Sequence, residues 1–384
     1  MPFSEPPVRF IEPDATDTRA PRAGIALCLS GGGYRAMLFH LGALKRLNEL
    51  AYLPKLDQVS SVSGGSITAG VLAMNWKRLR LQSGQAANFD DEVTTPVRKL
   101  AGITVDGWSI VGGLALPGSI NDKVTSAYRK HVFGQRTLQD IPADDEGPRF
   151  VFNATNVQSG VLMRFSRPYV ADYRVGSLRN PTIELAVAVA ASSAFPPFLS
   201  PAHLEFAERD WVEETGNDLH RVPYTTDVIL TDGGVYDNLG LEPVKKRCGT
   251  VFVSDGGGTF QIKAKPRRDW VLGTKRLLEV LDVEVRRLRR REIVGALKGG
   301  FRKGAFWAIN TDPAVFERPA STLPCTYDQT KALSLVSTRL KKLPDRQRNR
   351  IANWGYTATD ASLRDNYDQN LAVPSRFPYN DGIG

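Results

Sequence analysis

The sequence predicts an α/β fold built on a mainly parallel sheet, and two observations carry that prediction. In the first, a short apolar run at Gly24–Leu29 enters a glycine turn, takes up a helical period, and returns to a β-branched run at Asp57–Val62. Strand, helix and strand in that order form a βαβ unit, whose strands lie parallel with a right-handed crossover. The second is the recurrence of short β-branched runs that stop at glycine turns, at Val228–Thr231 and Thr250–Ser254. Buried strands of such a sheet read this way. No internal repeat or low-complexity linker divides the 384 residues. One domain is therefore expected over 23–384, with a basic helical C-terminal part from about 263 to 384, behind a flexible, proline-rich leader at 1–22.

Taken in order, Gly24–Leu29 runs straight into Ser30-Gly31-Gly32-Gly33-Tyr34-Arg35-Ala36. From Ala36 onward Leu38, Leu41, Leu44 and Leu47 recur on one helical face, with Lys45, Arg46 and Glu49 elsewhere. The β-branched run at Asp57–Val62 stops at Ser63, and a helix is predicted from Ser66 to about Leu81. Ala101–Ser119 is apolar, glycine-rich and aperiodic, which fits either a packed loop or a mobile apolar cap over an acyl pocket. Arg149–Asn156 and Val161–Phe165 read as adjacent strands joined by a turn at Gln158-Ser159-Gly160. Thr182–Ser192 is an alanine-rich helix, which Pro196 and Pro197 end. Leu204–Trp211 and His220–Leu230 form a hairpin region. Asp269–Leu297 is helical by pattern, with Leu277, Leu278, Leu281, Val285 and Leu288 along one side. Its Arg286, Arg287, Arg289, Arg290 and Arg291 make a basic block, readable as a solvated face or as an attachment site for anionic lipid. Phe306–Asn310 is one more strand, and Asp328–Leu340 and Asp345–Tyr367 close the chain as helices.

Composition narrows the class. Hydrophobic residues at 42% and charged residues at 24% describe a folded globular chain. A net charge of +9 favours anionic partners, but no helix-turn-helix or zinc pattern accompanies it, which argues against nucleic acid. Three cysteines, Cys28, Cys248 and Cys325, are too few and odd in number for a disulfide framework and fit a reducing compartment. The histidines show no zinc-ligand spacing. The leader has no apolar h-region, so no Sec signal peptide is read. No stretch reaches the ~20 uninterrupted apolar residues of a membrane span. The expectation is a cytoplasmic protein, with peripheral membrane contact open.

The chemistry centres on Val59–Gly70, Val-Ser-Ser-Val-Ser-Gly-Gly-Ser-Ile-Thr-Ala-Gly. A strand that turns sharply into a helix with serine at the tip is the nucleophile elbow of hydrolases. Ser61 stands where the usual Gly-x-Ser-x-Gly pattern has its first glycine. A serine needs a base, and the four histidines, His40, His131, His203 and His220, all precede Asp232, so the usual nucleophile–acid–histidine order fails. A histidine-free site is the simpler reading. Asp232, delivered by a β-branched run onto Asp232-Gly233-Gly234, could take the Ser63 proton directly. Asp255-Gly256-Gly257 is a second copy of that turn and the competing choice. Three glycines opening a helix, Gly31, Gly32 and Gly33, expose amides at its positive end, as an oxyanion requires, and Arg35 adds a cation. The Gly-Lys-[Ser/Thr] close of a P-loop is absent, and so is the last glycine of a dinucleotide fingerprint.

Together, Ser-Gly-Gly-Gly-Tyr-Arg-Ala at 30–36, the Ser63 elbow and Thr-Asp-Gly-Gly-Val-Tyr-Asp-Asn-Leu-Gly at 231–240 resemble the patatin-like phospholipase family over about residues 22–260. The resemblance implies a three-layer α/β/α sandwich and a Ser–Asp dyad, with Ser63 as nucleophile and Asp232 as base. It implies oxyanion-hole amides from Gly31, Gly32 and Gly33, and a lipid phosphate contact at Arg35. The implied reaction is lipid acyl hydrolysis of the phospholipase A or lysophospholipase type, on phospholipid or another lipid ester, with no metal and no cofactor. An acyltransferase or thioesterase on the same dyad, and a non-catalytic lipid-binding protein, are the alternatives.

Overall fold

The computed structural model describes residues 22–105, 120–196, 199–213, 215–245, 247–266, 270–316 and 323–384. The leader at 1–21, most of the apolar Ala101–Ser119 stretch, and Pro197 lie outside the described residues. In chain order, β1 (Arg22–Leu29), α1 (Gly33–Glu49), β2 (Gln58–Val62) and α2 (Gly64–Asn75) open the fold as the expected βαβα run. The helix read as reaching about Leu81 ends at Asn75, a 3-10 turn at Trp76–Arg78 follows, and a small hairpin, β3 (Leu81–Gln82) and β4 (Gln85–Ala86), turns at Ser83-Gly84. Next come α3 (Thr95–Ala101), α4 (Ile120–Tyr128), and the strands β5 (Arg149–Asn156), β6 (Leu162–Phe165), β7 (Tyr169–Asp172) and β8 (Gly176–Arg179). The helix α5 (Leu185–Ser192) leads to β9 (Ala202–Glu205), β10 (Trp211–Val212), β11 (Asp227–Asp232), α6 (Gly234–Asp237) and β12 (Cys248–Asp255). The long α7 (Trp270–Lys298), β13 (Lys303–Ala308), α8 (Tyr327–Ser334) and α9 (Asp345–Asn366) complete the order.

The strands β5-β2-β1-β12-β13 pair in parallel, and β6, β7, β8 and β10 extend the sheet as an antiparallel wing. Side-chain alternation along β1 shows why both faces are covered. Leu27 and Leu29 enter a core shared with α1, α2, α5 and α9. Ala26 and Cys28 enter a second core with Leu239, Leu241, Val251, Val253 and Ile293 of α7. Three layers, helix on sheet on helix, result. The C-terminal part belongs to these layers: β13 pairs with β12, and α9 lies tightly on α1. A Cβ on Gly355 would stand 1.9 Å from the Phe39 carbonyl oxygen, so only glycine permits that approach. Arg46 and Arg364 then bracket the buried Asp360 at 2.7 Å each, so none of the three charges is left unpaired.

Two readings of the sequence change. Asp328–Leu340 is helical only to Ser334; Leu335–Leu340 leaves the helix and folds over the glycine turn, where the Arg339 carbonyl accepts the Tyr34 N–H. The basic block is not one face. Arg286 is buried and donates to the Gly258 carbonyl, and Arg290 lies 4.9 Å above the Phe306 ring. Arg289 pairs with Glu242 at 3.2 Å and Arg287 with Glu284 at 2.6 Å. The side of α7 turned to solvent carries Leu277, Leu281 and Leu288 instead.

Candidate active site

The sheet brings two strand ends together. β2 runs parallel to β5 and ends with Val62 opposite Asn153. β11 runs antiparallel to β5 and ends with Asp232 opposite Ala154. The carboxyl ends of β2 and β11 therefore meet at consecutive registers of one strand. Ser63, the residue after Val62, and Asp232 line the same cavity, with a volume of about 640 Å³. Asp232 thus arrives on an antiparallel strand, which no local pattern in Val228–Thr231 announces.

Ser63 sits at the turn into α2 with φ +51°, a conformation disfavoured for a residue with a Cβ and costing roughly 1–3 kcal/mol. The surroundings hold it there. Its N–H donates to Ser192 Oγ at 3.0 Å, and a Cβ on Gly65 would stand 2.3 Å from the Leu29 carbonyl oxygen. Ser61 fits where glycine was expected because it is still inside β2. Its hydroxyl lies 3.0 Å from Ser66 Oγ and donates to the Val151 carbonyl at 3.3 Å. Ser192 ties this group to β5 by donating to the Asn153 carbonyl at 2.7 Å.

Asp232 is clamped by its backbone: its N–H donates to the Ala194 carbonyl at 2.9 Å, and its own carbonyl accepts from Thr155 Oγ1 at 2.9 Å. One carboxylate oxygen, Oδ1, accepts the Gly234 N–H at 2.8 Å. The other, Oδ2, is buried and has no hydrogen-bond partner. Burial pushes this carboxyl up to about 7, and nearby Asp282 adds to the rise; the Gly234 N–H and the Ser63 hydroxyl pull the other way. A carboxylate so placed is a proton acceptor poised near neutral pH.

Of the glycine turn, Gly31 is already engaged: its N–H donates to the Asn238 carbonyl at 3.1 Å and to Asn238 Oδ1 at 2.9 Å. The amides of Gly32 and Gly33 have no partner among the described residues, nor has that of Gly64, directly after Ser63. Gly64 was not singled out from the sequence, although its place after the serine is the signal that would have found it. Gly33, at φ +58°, is where Leu335–Leu340 presses closest; a Cβ there would stand 1.8 Å from the Thr338 carbonyl oxygen.

Arg35 lines the same cavity as Ser63 and Asp232. It is 2% exposed, and its guanidinium donates to the carbonyls of Gly256, Ser334 and Val336. Burial and the neighbouring Arg286 lower it to about 9. It ties the glycine turn to the C-terminal part. His40 is core: Nε2 lies 2.9 Å from the Ser30 carbonyl and Nδ1 2.8 Å from Ser254 Oγ, and burial lowers it to about 4. Asp255, the second Asp-Gly-Gly, is buried near Arg35 and Arg290 and is not part of the cavity wall. Among the described residues, no three His, Cys, Asp or Glu side chains are grouped to hold a metal ion.

A family model, patatin-like phospholipase, matches residues 27–245, more than half of the chain. The chain belongs to the patatin-like phospholipase family. The match ends before α7, so the family portion holds Ser63, Asp232 and the glycine turn, and the later elements close the cavity around them. Among solved structures the fold is similar to human GIVD cytosolic phospholipase A2, with a TM-score of 0.50 and 10% identity, covering 88% of this chain and 61% of that one. VipD from Legionella pneumophila also matches, with a TM-score of 0.36 and 17% identity over 88% of this chain and 66% of that one. The chain therefore spans less than two thirds of the length of these structures. Comparison with curated proteins finds no match.

Proposed function

We propose that this patatin-like protein is a lipid acyl hydrolase of the phospholipase A or lysophospholipase type, working through an acyl-enzyme on Ser63 with Asp232 as base. One observation carries the reading: the buried, unpartnered Oδ2 of Asp232 shares a cavity with a serine held on a strained elbow. Asp232 takes the Ser63 proton as Oγ attacks the ester carbonyl. The unpaired amides of Gly32, Gly33 and Gly64 suit the oxyanion that forms. Asp232 then returns the proton to the departing alcohol. A water deprotonated by the same aspartate releases the acyl group and restores Ser63. No step draws on a metal or cofactor.

The cavity suits an amphipathic ester. Phe195, Leu199, Val283 and Leu340 offer apolar wall, and Lys263 and Arg276 bring positive charge. Peripheral contact with an anionic membrane would use the solvent side of α7, where Leu277 is 65% and Leu281 60% exposed on a chain of net charge +9. Among the described residues no helix is long and apolar enough to cross a membrane. The test is hydrolysis of a short-chain p-nitrophenyl ester and of phosphatidylcholine by the wild type and Ser63→Ala. Release of fatty acid that is lost in Ser63→Ala supports the reading. Equal release by both would refute it.

A further inference from the structure

A chain of three groups links α7 to the catalytic loop. Asp282 lines the cavity and accepts a hydrogen bond from Asn238 Nδ2 at 3.1 Å. Asn238 Oδ1 in turn accepts the Gly31 N–H at 2.9 Å. A Cβ placed on Gly31 would stand 2.4 Å from Asn238 Oδ1 and 3.2 Å from Ser63 Cβ, so the Asn238 amide, Gly31 and Ser63 abut directly.

The chemistry of an amide side chain makes this chain directional. An N–H can be met only by the oxygen end of Asn238, because its NH₂ end would set donor against donor. A carboxylate, an acceptor, can be met only by the NH₂ end. Asp282 therefore selects the one orientation in which Asn238 offers oxygen to Gly31. With the Gly31 amide held, the glycine turn keeps the form in which the Gly32 and Gly33 amides stay unpaired at the cavity wall. Asp282 lies outside residues 27–245, so the family portion does not supply this link.

We propose that Asp282 is a positioning residue for acyl transfer, orienting Asn238 and through it the glycine turn that receives the oxyanion. The proposal rests on the hydrolase reading above. Asp282 touches no reacting atom in this role; it acts through Asn238. It also stands near enough to Asp232 to disfavour ionisation there. The groups around the pair are Arg286 and Glu279 on α7, Asp255 at the end of β12, Asn238, and the Ser63 hydroxyl, Gly234 N–H and buried Tyr128 of α4 near Asp232.

The test compares Asp282→Asn with Asp282→Ala. The asparagine keeps an acceptor oxygen for Asn238 but loses the charge; the alanine loses both. With p-nitrophenyl butyrate, Asp282→Ala should lower kcat about ten-fold with KM within about two-fold, since a displaced oxyanion donor acts on the transition state. Asp282→Asn should restore kcat to within about three-fold of the wild type. Both variants should move the acid limb of the pH profile to lower pH, because the charge opposing Asp232 is gone. Hydrogen–deuterium exchange over residues 30–36 gives a readout independent of activity, and it should quicken in Asp282→Ala and not in Asp282→Asn. Unchanged kcat and exchange in Asp282→Ala would overturn the proposal, as would an Asp282→Asn variant as impaired as the alanine. If the wild type and Ser63→Ala hydrolyse the ester equally, the hydrolase reading fails, and the exchange comparison still decides whether Asp282 holds the turn.

Discussion

The molecule carries the same tripeptide, Asp-Gly-Gly, at the ends of two strands, and the two copies sit in different surroundings. Asp232 and Asp255 are both buried, and each accepts the N–H of the glycine two residues on, at 2.8 Å and 2.9 Å. Local structure does not separate them. Their neighbours do. Asp255 is near enough to Arg35 and Arg290 to act on their charges. Asp232 has Asp282 and the Ser63 hydroxyl near it and an oxygen with no partner. A carboxyl desolvated with another carboxylate near it and no cation is raised toward neutral pH, where it can move a proton.

The largest expected effect is on turnover. Ser63→Ala and Asp232→Asn should each lower kcat by more than about 1,000-fold in an ester assay, because members of a nucleophile–base pair act as a unit. Asp255→Asn should stay within about ten-fold of the wild type, since it leaves the pair intact. Loss of turnover in Asp255→Asn with a normal melting curve would reverse the assignment.

Stability should divide the two residues in the opposite sense. Asp255→Asn removes a negative charge near the buried Arg35 and Arg290 and should lower the melting temperature. Asp232→Asn should stabilise it at alkaline pH. The folded-state pKa of Asp232 is about 7, above its ordinary value of 3.8. Between those values the unfolded chain releases this proton and the folded chain keeps it, so stability from this group falls as pH rises through the window. The advantage of Asp232→Asn is therefore absent near pH 4 and full above pH 7, which differential scanning calorimetry at the two ends would read. A uniform change in melting temperature would show that Asp232 is not the group concerned.

A smaller effect is expected at the membrane. Leu277→Asp with Leu281→Asp should weaken flotation with anionic vesicles ten-fold or more while leaving hydrolysis of a water-soluble ester unchanged, as each exposed apolar side chain is worth up to about 1.5–3 kcal/mol when fully buried. Loss of both activities together would place these leucines in the fold and not at the lipid contact.

The contrast between the two aspartates also marks what the sequence could reveal. The parallel core was legible because Gly24–Leu29, the following helix and Asp57–Val62 are contiguous and their periods are unmixed. Ser63 was legible because the elbow is local. The choice of Asp232 needed the family likeness, since its meeting with Ser63 depends on β11 running antiparallel to β5. Which glycine amides stay unpaired depends on Asn238, 207 residues away from Gly31, and no turn pattern contains that. Arg286 read as part of a solvated face or lipid-attachment block and Arg35 as a cation beside the glycine turn; backbone carbonyls of distant segments hold both in the interior. The Leu335–Leu340 segment read as helix because its apolar spacing suits one, yet it packs on the glycine turn.

Labelling by a fluorophosphonate probe, followed against pH in the wild type, Ser63→Ala, Asp232→Asn and Asp255→Asn, decides between the two aspartates as base for Ser63. The dyad predicts labelling of the wild type and Asp255→Asn that rises through about pH 7, the value set by Asp232, and none in the other two. Labelling of Asp232→Asn at the wild-type rate, or its loss in a folded Asp255→Asn, would contradict the assignment of the base.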